Sequence, residues 1–400
     1  MRLYNTLSGK AEEFVSDGRV NLYVCGVTPY DTTHVGHART YLLFDVLVRH
    51  LMHQGWQTNY IQNITDVDDS IIARATQTGE SYQALGDRYT GIYMDDISAL
   101  GMIPAKAYPR ATDAIPEMQE VIRRLLATGH AYRVGGDVYF NLDGAEELGR
   151  LSRLDRAGML KIEAEQDGST VGDERKKDPL DFALWRSSGP GEPSWDSPWG
   201  EGRPGWHLEC STLAMRYLGP SVDIHGGGAD LIYPHHEAEI LQSQAVTGIK
   251  PFARVWVHVG MALLDGRKMS KSDGNMVFVR DLLEEYSPDA VRLYLLAIHY
   301  REPLDYNAEE LKRYSEVSVR LARAAHADAS RRGEELDPTP FVRRFSDALD
   351  DDLSTPDAID ALVDLLLSLE KANGSSATHR AQRSLRTLGA RLGLNLESGR

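Results

Sequence analysis

The hydrophobic pattern near the start of the chain changes its period twice. Residues 22–25 form a short apolar run that ends at Gly26, which predicts a buried strand. A helical stripe follows between Gly36 and about His53, and Gly55 ends it. Residues 58–64 alternate and are rich in β-forming side chains, which predicts a second strand. Strand, helix and strand in this order indicate a βαβ unit, so we expect a parallel sheet with its site at the carboxyl ends of the strands.

The pattern differs from about residue 112 to 200, where short strands such as residues 137–140 precede stretches rich in charge, glycine and proline. The sheet pattern resumes near Trp206 and runs to about Gly260, and from about Glu310 onward the apolar spacing is helical. We therefore expect an α/β protein whose sheet domain is split by an insertion. The expected units are a sheet domain of residues 1–111 and 200–260, an insertion of residues 112–199, a linking fold of residues 261–309 and a helical bundle of residues 310–400.

Composition narrows the class of protein. Hydrophobic residues make up 42% and charged residues 26% of the 400 positions, as in ordinary globular proteins. No apolar run approaches the roughly 20 residues that span a bilayer, and no secretory core follows Met1, so we expect a cytoplasmic protein without a membrane partner. The net charge of −15 argues against a non-specific nucleic-acid coat protein but allows a local basic patch. The two cysteines, Cys25 and Cys210, are too few for a disulfide scaffold, and composition alone favours buried, inert thiols.

A pair of histidines lies where the first strand hands over to the helix. In His34-Val35-Gly36-His37 the imidazoles are three positions apart, and Gly36 allows close approach to the backbone. A helix N-terminus attracts phosphate because its N–H groups and its dipole favour anions. The alternative is a pair of surface histidines at the start of a helix.

A second candidate phosphate site is the loop Lys268-Met269-Ser270-Lys271-Ser272, between Asp265-Gly266 and Gly274-Asn275. Two lysines three apart, with hydroxyls and flexible flanks, suit a mobile clamp on a triphosphate. The alternative is a solvated basic loop.

A third constellation suits a metal ion. Cys25 ends a strand, Cys210 follows Trp206, and His235 and Glu239 are four positions apart on one face of a helix. Two thiols, an imidazole and a carboxylate make a plausible zinc set, although scattered residues of these types are often unrelated.

Taken together, the histidine and lysine motifs resemble the paired signatures of class I aminoacyl-tRNA synthetases, in the expected order and with an insertion between them. The resemblance implies a Rossmann-like catalytic domain, with a connective insertion, a linking fold and a helical bundle. It also implies in-line attack of an amino-acid carboxylate on the α-phosphate of ATP. By this resemblance the residues that stabilise charge on the phosphates are His34, His37, Lys268 and Lys271.

Longer stretches are similar to cysteinyl-tRNA synthetases. They include residues 23–26, 63–69, 204–210, 223–231 and 234–237. In that family a zinc ion binds the thiolate of the substrate cysteine, which excludes serine and apolar isosteres. The resemblance implies one zinc ion per chain, held by Cys25, Cys210, His235 and Glu239. It implies substrate contacts from Thr40, Thr65 and Trp206, and contacts to ATP, which acts with Mg²⁺, from Gly36, Gly226, Gly228, Asp230 and Lys271.

Two acceptors for the activated cysteine stay open at this point. The first is tRNA(Cys), and the second is a small amine such as glucosaminyl-inositol, as in the related mycothiol-pathway ligases. Residues 28–31 and Ser70, where a lysine is usual, resemble the amide-forming ligase, whereas residues 177–185, 299–304 and Glu239 resemble the synthetase. A non-catalytic binding module is a third reading, which the intact histidines, lysines and ligands disfavour.

The similarity runs from Leu3 to about Leu394, and the family normally continues into a small domain that helps to read the anticodon. We therefore expect contacts to tRNA mainly at its acceptor end, and separately we expect a monomer. Arginines of the helical bundle are candidates for contacts to the tRNA stem, with a solvated surface as the alternative: Arg323, Arg343, Arg344, Arg380, Arg383 and Arg386.

Overall fold

The computed structural model describes residues 1–166, 169–269, 274–328, 335–372 and 377–396. Among them the strands are β1 (Arg2–Asn5), β2 (Lys10–Glu13), β3 (Arg19–Val27), β4 (Gln57–Ile64), β5 (Ala131–Val134), β6 (Asp137–Phe140), β7 (Ala183–Ser187), β8 (Gly202–Pro204), β9 (Val222–Gly228), β10 (Ala253–Val259), β11 (Ala262–Leu264), β12 (Arg267–Lys268) and β13 (Leu304–Asp305). The α-helices are α1 (Val35–His53), α2 (Asp69–Thr78), α3 (Tyr82–Ala99), α4 (Ile115–Ala127), α5 (Arg156–Ala164), α6 (Trp206–Leu218), α7 (Glu237–Thr247), α8 (Val279–Glu285), α9 (Pro288–Leu296), α10 (Ala308–His326), α11 (Thr339–Asp350), α12 (Thr355–Ala372) and α13 (His379–Arg391).

The central sheet is parallel and has the order β10-β9-β3-β4. The chain leaves β3 through α1 to reach β4 on one side, and β9 later joins β3 on the other side. The connections therefore diverge at the carboxyl ends of β3 and β9, which is where open α/β sheets bind ligands. The predicted strands at residues 22–25 and 58–64 and the predicted helix between them are confirmed.

Three further sheets are present among the described residues, and the smallest is the antiparallel pair of β1 and β2. Strands β5, β6, β7 and β8 form an antiparallel sheet that lies between β4 and α6 along the chain, and β6 confirms the short strand predicted at residues 137–140. Strand β11 pairs antiparallel with β12 and parallel with β13, so Lys268 lies on a short hairpin close after the central sheet.

Helix α1 packs on both sides, which explains why it is largely buried. Leu43, Phe44 and Leu47 pack with apolar residues of the central sheet. Leu42 and Val46 belong to a second core that includes residues of α9 to α13. The start of α1 is thereby fixed between the sheet and the helical C-terminal region. No helix among the described residues is long and apolar enough to cross a membrane.

Candidate active site and metal centre

Four buried side chains meet at the carboxyl end of β3, and they come from β3, α6, the helical turn Ile232–His236 and the start of α7. The Cys25 thiol donates to Glu239 Oε1 at 3.4 Å, and His235 Nε2 lies 3.2 Å from the same oxygen. Candidate ligand atoms of Cys25, Cys210, His235 and Glu239 all lie within 4.8 Å of one another, and all four residues are buried. The set predicted from sequence is therefore assembled, although its members are up to 214 positions apart.

The end of β3 brings the two cysteines together through Asn63 on β4. A side chain at Gly26 would place its Cβ 1.6 Å from the Asn63 carbonyl oxygen, so only glycine allows this approach. Asn63 Oδ1 accepts from the Gly26 N–H at 2.8 Å and from the Cys210 thiol at 3.5 Å. The Asn63 side chain on β4 thus links the end of β3 to α6.

A shell of further histidines surrounds these four residues. His225 Nε2 lies 3.0 Å from Glu239 Oε2, and His207 Nδ1 lies 3.0 Å from His235 Nδ1. His236 Nε2 lies 3.3 Å from Cys25 Sγ, and its Nδ1 lies 2.7 Å from His258 Nε2. Such contacts orient metal ligands and fix their tautomers.

No role was predicted from the sequence for His207, His225, His236 or His258. His207, His225 and His236 lie next to residues with a predicted role, inside the stretches that resemble the family. Their nearness to assigned residues was the available signal, although their contacts depend on the fold.

Burial sets the charge state of this cluster. It lowers the pKa of His207, His225 and His258 to about 3 and moves the pKa of His235 and His236 in the same direction, so the imidazoles are neutral and keep lone pairs. Burial also raises the pKa of the Cys25 thiol and of the Glu239 carboxyl. A bound divalent cation would stabilise the ionised forms of the Cys25 thiol and the Glu239 carboxyl, and the neutral imidazoles can bind it through their lone pairs. The mixture of sulfur, nitrogen and oxygen donors suits zinc.

A second four-residue set overlaps the first. Cys25, His225, His236 and Glu239 also have candidate ligand atoms within 4.8 Å of one another. The two sets share Cys25 and Glu239 and differ in the other two ligands, so the choice between them is a question for substitution.

A cleft of about 220 Å³ opens beside the cluster, lined by residues that include Thr28, Asp68, Ser70, Arg203 and Trp206. The half-buried Trp206 ring stacks on His235 with ring centroids 4.2 Å apart. A larger open concavity of about 870 Å³, lined by Arg19, Gln57 and Arg254 among others, lies at the amino ends of the strands. We favour the smaller cleft because it adjoins the metal-type ligands at the carboxyl ends of the parallel strands.

The other predicted substrate residues occupy two places. Thr65 is buried just after β4, and its hydroxyl accepts from Asn63 Nδ2 at 3.0 Å, so it adjoins the cysteine cluster. Thr40 lies on α1, and its hydroxyl donates to the Gly36 carbonyl at 3.1 Å. Thr40 therefore lies near the histidine pair, in the first turns of α1.

The histidine pair is preorganised at the start of α1. His34 is the residue that caps the helix, and its Nδ1 accepts from the Gly36 N–H at 3.1 Å. The His34 and His37 rings stack with centroids 3.7 Å apart. Both imidazoles thus share the end of the helix that favours anions.

The hairpin of β11 and β12, which we call the lysine hairpin, is followed by the lysine loop and then by a segment that meets the histidine pair through the backbone. Lys268 is exposed on β12, opposite Leu263. Beyond the lysine loop, Phe278 forms an antiparallel bridge with His34, and the Val35 N–H donates to the Val277 carbonyl at 2.9 Å. Lys271 lies outside the described residues.

The predicted adenosine-binding glycines have different environments. Gly226 is buried, and a Cβ there would lie 2.1 Å from Phe44 Cζ, so it is needed for packing against α1. Gly228 is half-buried at the end of β9, and Asp230 is exposed just beyond it. Gly228 and Asp230 therefore lie at the carboxyl end of β9, whereas Gly226 packs against Phe44 inside the fold.

Comparisons with known proteins agree with one another. Residues 11–316 match the family of tRNA synthetases class I (C) catalytic domain, and residues 344–397 match the DALR domain. The chain is 44% identical over 402 residues to a cysteine--tRNA ligase of Dehalococcoides mccartyi, covering 99% of this chain and 86% of that protein. It is 43% identical over 414 residues to a cysteine--tRNA ligase of Geobacter sulfurreducens, covering 98% and 85%.

A solved structure shares the fold at low sequence identity. The Mycobacterium tuberculosis methionyl-tRNA synthetase in complex with methionyl-adenylate has a TM-score of 0.65 and 17% identity, over 94% of this chain and 88% of that chain. This structural similarity supports the fold alone, and the family rests on the relatives found by sequence.

Proposed function

The chain belongs to the cysteine--tRNA ligase family, and from this premise we propose that it activates L-cysteine with ATP and transfers the cysteinyl group to tRNA(Cys). The observation that carries the proposal is the buried set of Cys25, Cys210, His235 and Glu239 at the carboxyl end of β3. These residues suit a metal ion that binds thiolates, and such an ion can select a substrate by its thiol.

These four residues would hold one zinc ion. When bound, zinc supplies a Lewis-acidic position that favours the thiolate of cysteine over a hydroxyl or a methyl group. Trp206 and Thr65 would line the pocket beside it, and His225 and His207 would hold Glu239 and His235 in the orientation that the ligands need. Thr40 would contact the substrate from the first turns of α1.

The activation step would use the start of α1 and the lysine hairpin. The cysteine carboxylate attacks the α-phosphate of ATP, an oxygen–phosphorus bond forms, and pyrophosphate leaves. His34, His37, Lys268 and Lys271 would stabilise charge on the phosphates, together with Mg²⁺ that arrives with ATP. Gly36, Gly228 and Asp230 would contact the nucleotide, and Gly226 would shape its floor by admitting Phe44.

The transfer step would use a ribose hydroxyl at the tRNA 3′ end, which attacks the cysteinyl carbonyl and releases AMP. The curated relatives favour this acceptor over the small amine of an amide-forming ligase. We also propose, from family membership, that tRNA enters by its acceptor end, that the protein acts as a monomer in the cytoplasm and that the four expected units divide the chain.

The acceptor is tested by giving the enzyme ATP and radiolabelled cysteine with either tRNA(Cys) or glucosaminyl-inositol. We expect label in tRNA that mild alkali releases, as an ester requires, and little label in the amine. Acylation of the amine alone, alongside brisk cysteine-dependent pyrophosphate exchange, would contradict the proposal.

A further inference from the structure

Arg39 is a buried cation whose acceptors are main-chain carbonyls. Its guanidinium donates to the carbonyl oxygens of Gly260 at 2.9 Å, His299 at 3.0 Å and Glu302 at 2.6 Å. The residue is 2% exposed, and burial lowers its pKa to about 10, so it stays charged at neutral pH. Three converging carbonyls around one guanidinium form a specific arrangement that a point charge cannot reproduce.

The three carbonyls belong to two segments of the chain that lie next to the lysine hairpin. Gly260 joins β10 to β11, and Glu302 lies just before β13. The Gly260 N–H donates to the Tyr300 carbonyl at 2.7 Å, and the Leu304 N–H donates to the Met261 carbonyl at 2.9 Å. The small sheet of β11, β12 and β13 therefore rests on the segments that Arg39 holds.

Arg39 itself belongs to the helix that begins with the histidine pair. It lies five positions after His34, which is a rise of about 7.5 Å along α1. The same helix start also bridges to Phe278 on the far side of the lysine loop. The first turns of α1 thus contact the chain on both sides of the lysine hairpin, through Arg39 at Gly260 before it and through the backbone at Phe278 after it.

We propose that Arg39 is a positioning residue for cysteine activation, which fixes the hairpin bearing Lys268 at the distance from His34 and His37 that the phosphates require. The inference rests on the proposed function. In-line phosphoryl chemistry depends on the placement of charges, and a displacement of about 1 Å can cost about 100-fold in rate. Binding of cysteine uses the metal cluster instead and should not depend on Arg39.

The test compares Arg39→Lys with wild type in cysteine-dependent ATP–pyrophosphate exchange. We expect kcat to fall about 100-fold, while zinc content and the KM for cysteine stay within about twofold. Arg49→Lys is the matched control, because Arg49 lies on the same helix and also donates to a carboxylate and carbonyls, at Asp45, Gly101 and Ala390, away from the hairpin. It should leave kcat within about twofold of wild type.

A second variant approaches the same contact from the other side. A Cβ at Gly260 would lie 2.4 Å from the Glu302 carbonyl oxygen, so Gly260→Ala should displace the carbonyls that Arg39 holds. Its kcat should also fall, and the double variant should lose much less than the product of the two single losses.

The outcomes separate this inference from the proposed function. Wild-type enzyme without cysteine-dependent exchange would sink the proposed function itself. An active wild type, with Arg39→Lys no slower than Arg49→Lys or with both single losses multiplying in the double variant, would overturn the role of Arg39. A rise in the KM for cysteine equal to the fall in kcat would show a general structural role and would overturn it too.

Discussion

Glu239 connects the parts of the candidate metal cluster because its two oxygens face different neighbours. Oε1 meets the Cys25 thiol and His235, and Oε2 meets His225. One carboxylate thereby touches both candidate ligand sets. The two sets make different demands on the neighbouring histidines His235 and His236.

Substitution of these neighbours distinguishes the sets. We expect His235→Ala to weaken zinc by more than about 100-fold, because a ligand is lost. His236→Ala should weaken it by only about 10- to 100-fold, because an orienting contact is lost. Zinc affinity is measured by competition with a chromogenic chelator. The reverse order would assign the metal to the set that contains His225 and His236.

Some of the individual residues of the site could be predicted from the sequence. The four expected ligands, Trp206 and the histidine pair were found because the motifs that contain them resemble a known family. The roles of His207, His225 and His258 could not be read from local pattern, since each acts through a partner 14 or more positions away. Gly226 was expected to contact ATP, whereas the clash that its Cβ would make is with Phe44, a contact that only the packing of α1 reveals.

Helix α1 is the element that connects the site to the C-terminal helices. Arg292, which is fully buried on α9, forms an ion pair with Asp45 of α1 and donates to the Leu392 carbonyl at 3.0 Å through its Nε. Further along α1, the Arg391 guanidinium lies 3.0 Å from His50 Nδ1, and His50 Nε2 lies 3.0 Å from Asp350 Oδ1. Because a guanidinium can only donate, His50 Nδ1 must accept, and the imidazole is neutral with its proton on Nε2.

The neutral His50 makes stability depend on pH. Burial lowers its pKa from 6.5 to about 4, so the unfolded chain binds a proton that the folded chain refuses between these values. The free energy of unfolding should therefore fall as the pH falls from about 6.5 to about 4, with a limit of about 3 kcal/mol from this residue. Other buried histidines add to the slope with the same sign.

Urea unfolding of His50→Gln at several pH values measures this contribution. The variant should show a shallower loss of stability on acidification than wild type. His130→Gln is the control, because His130 is exposed. Equal slopes in wild type and His50→Gln would contradict the assignment of a neutral, buried imidazole.

Elements were easier to predict than their arrangement. The apolar run of β3, the stripe of α1 and the alternation of β4 are local patterns, and the structure follows them closely. The sheet order β10-β9-β3-β4 depends on pairing across about 200 residues, as between Tyr23 and His225, and no local pattern encodes it.

For the molecule as a whole, the helical region is less basic than its arginines suggest. Arg344 pairs with Asp364 at 2.7 Å, Arg343 lies 3.6 Å from Asp347, and Arg380 lies 3.7 Å from Asp337. A phosphate contact by these side chains would compete with an existing carboxylate. This favours a mixed-charge surface for that part of the bundle and agrees with the net charge of −15.

The proposed function depends most directly on one bond, which is the bond between the cysteine thiolate and a metal ion held by the Cys25–Glu239 cluster. X-ray absorption at the zinc edge, on protein with and without cysteine, observes that bond directly. We predict about one zinc ion per chain, with two sulfur neighbours at about 2.3 Å that become three when cysteine is added and stay two when serine is added. Absence of zinc from active protein, or a sulfur count that cysteine leaves unchanged, would contradict the account.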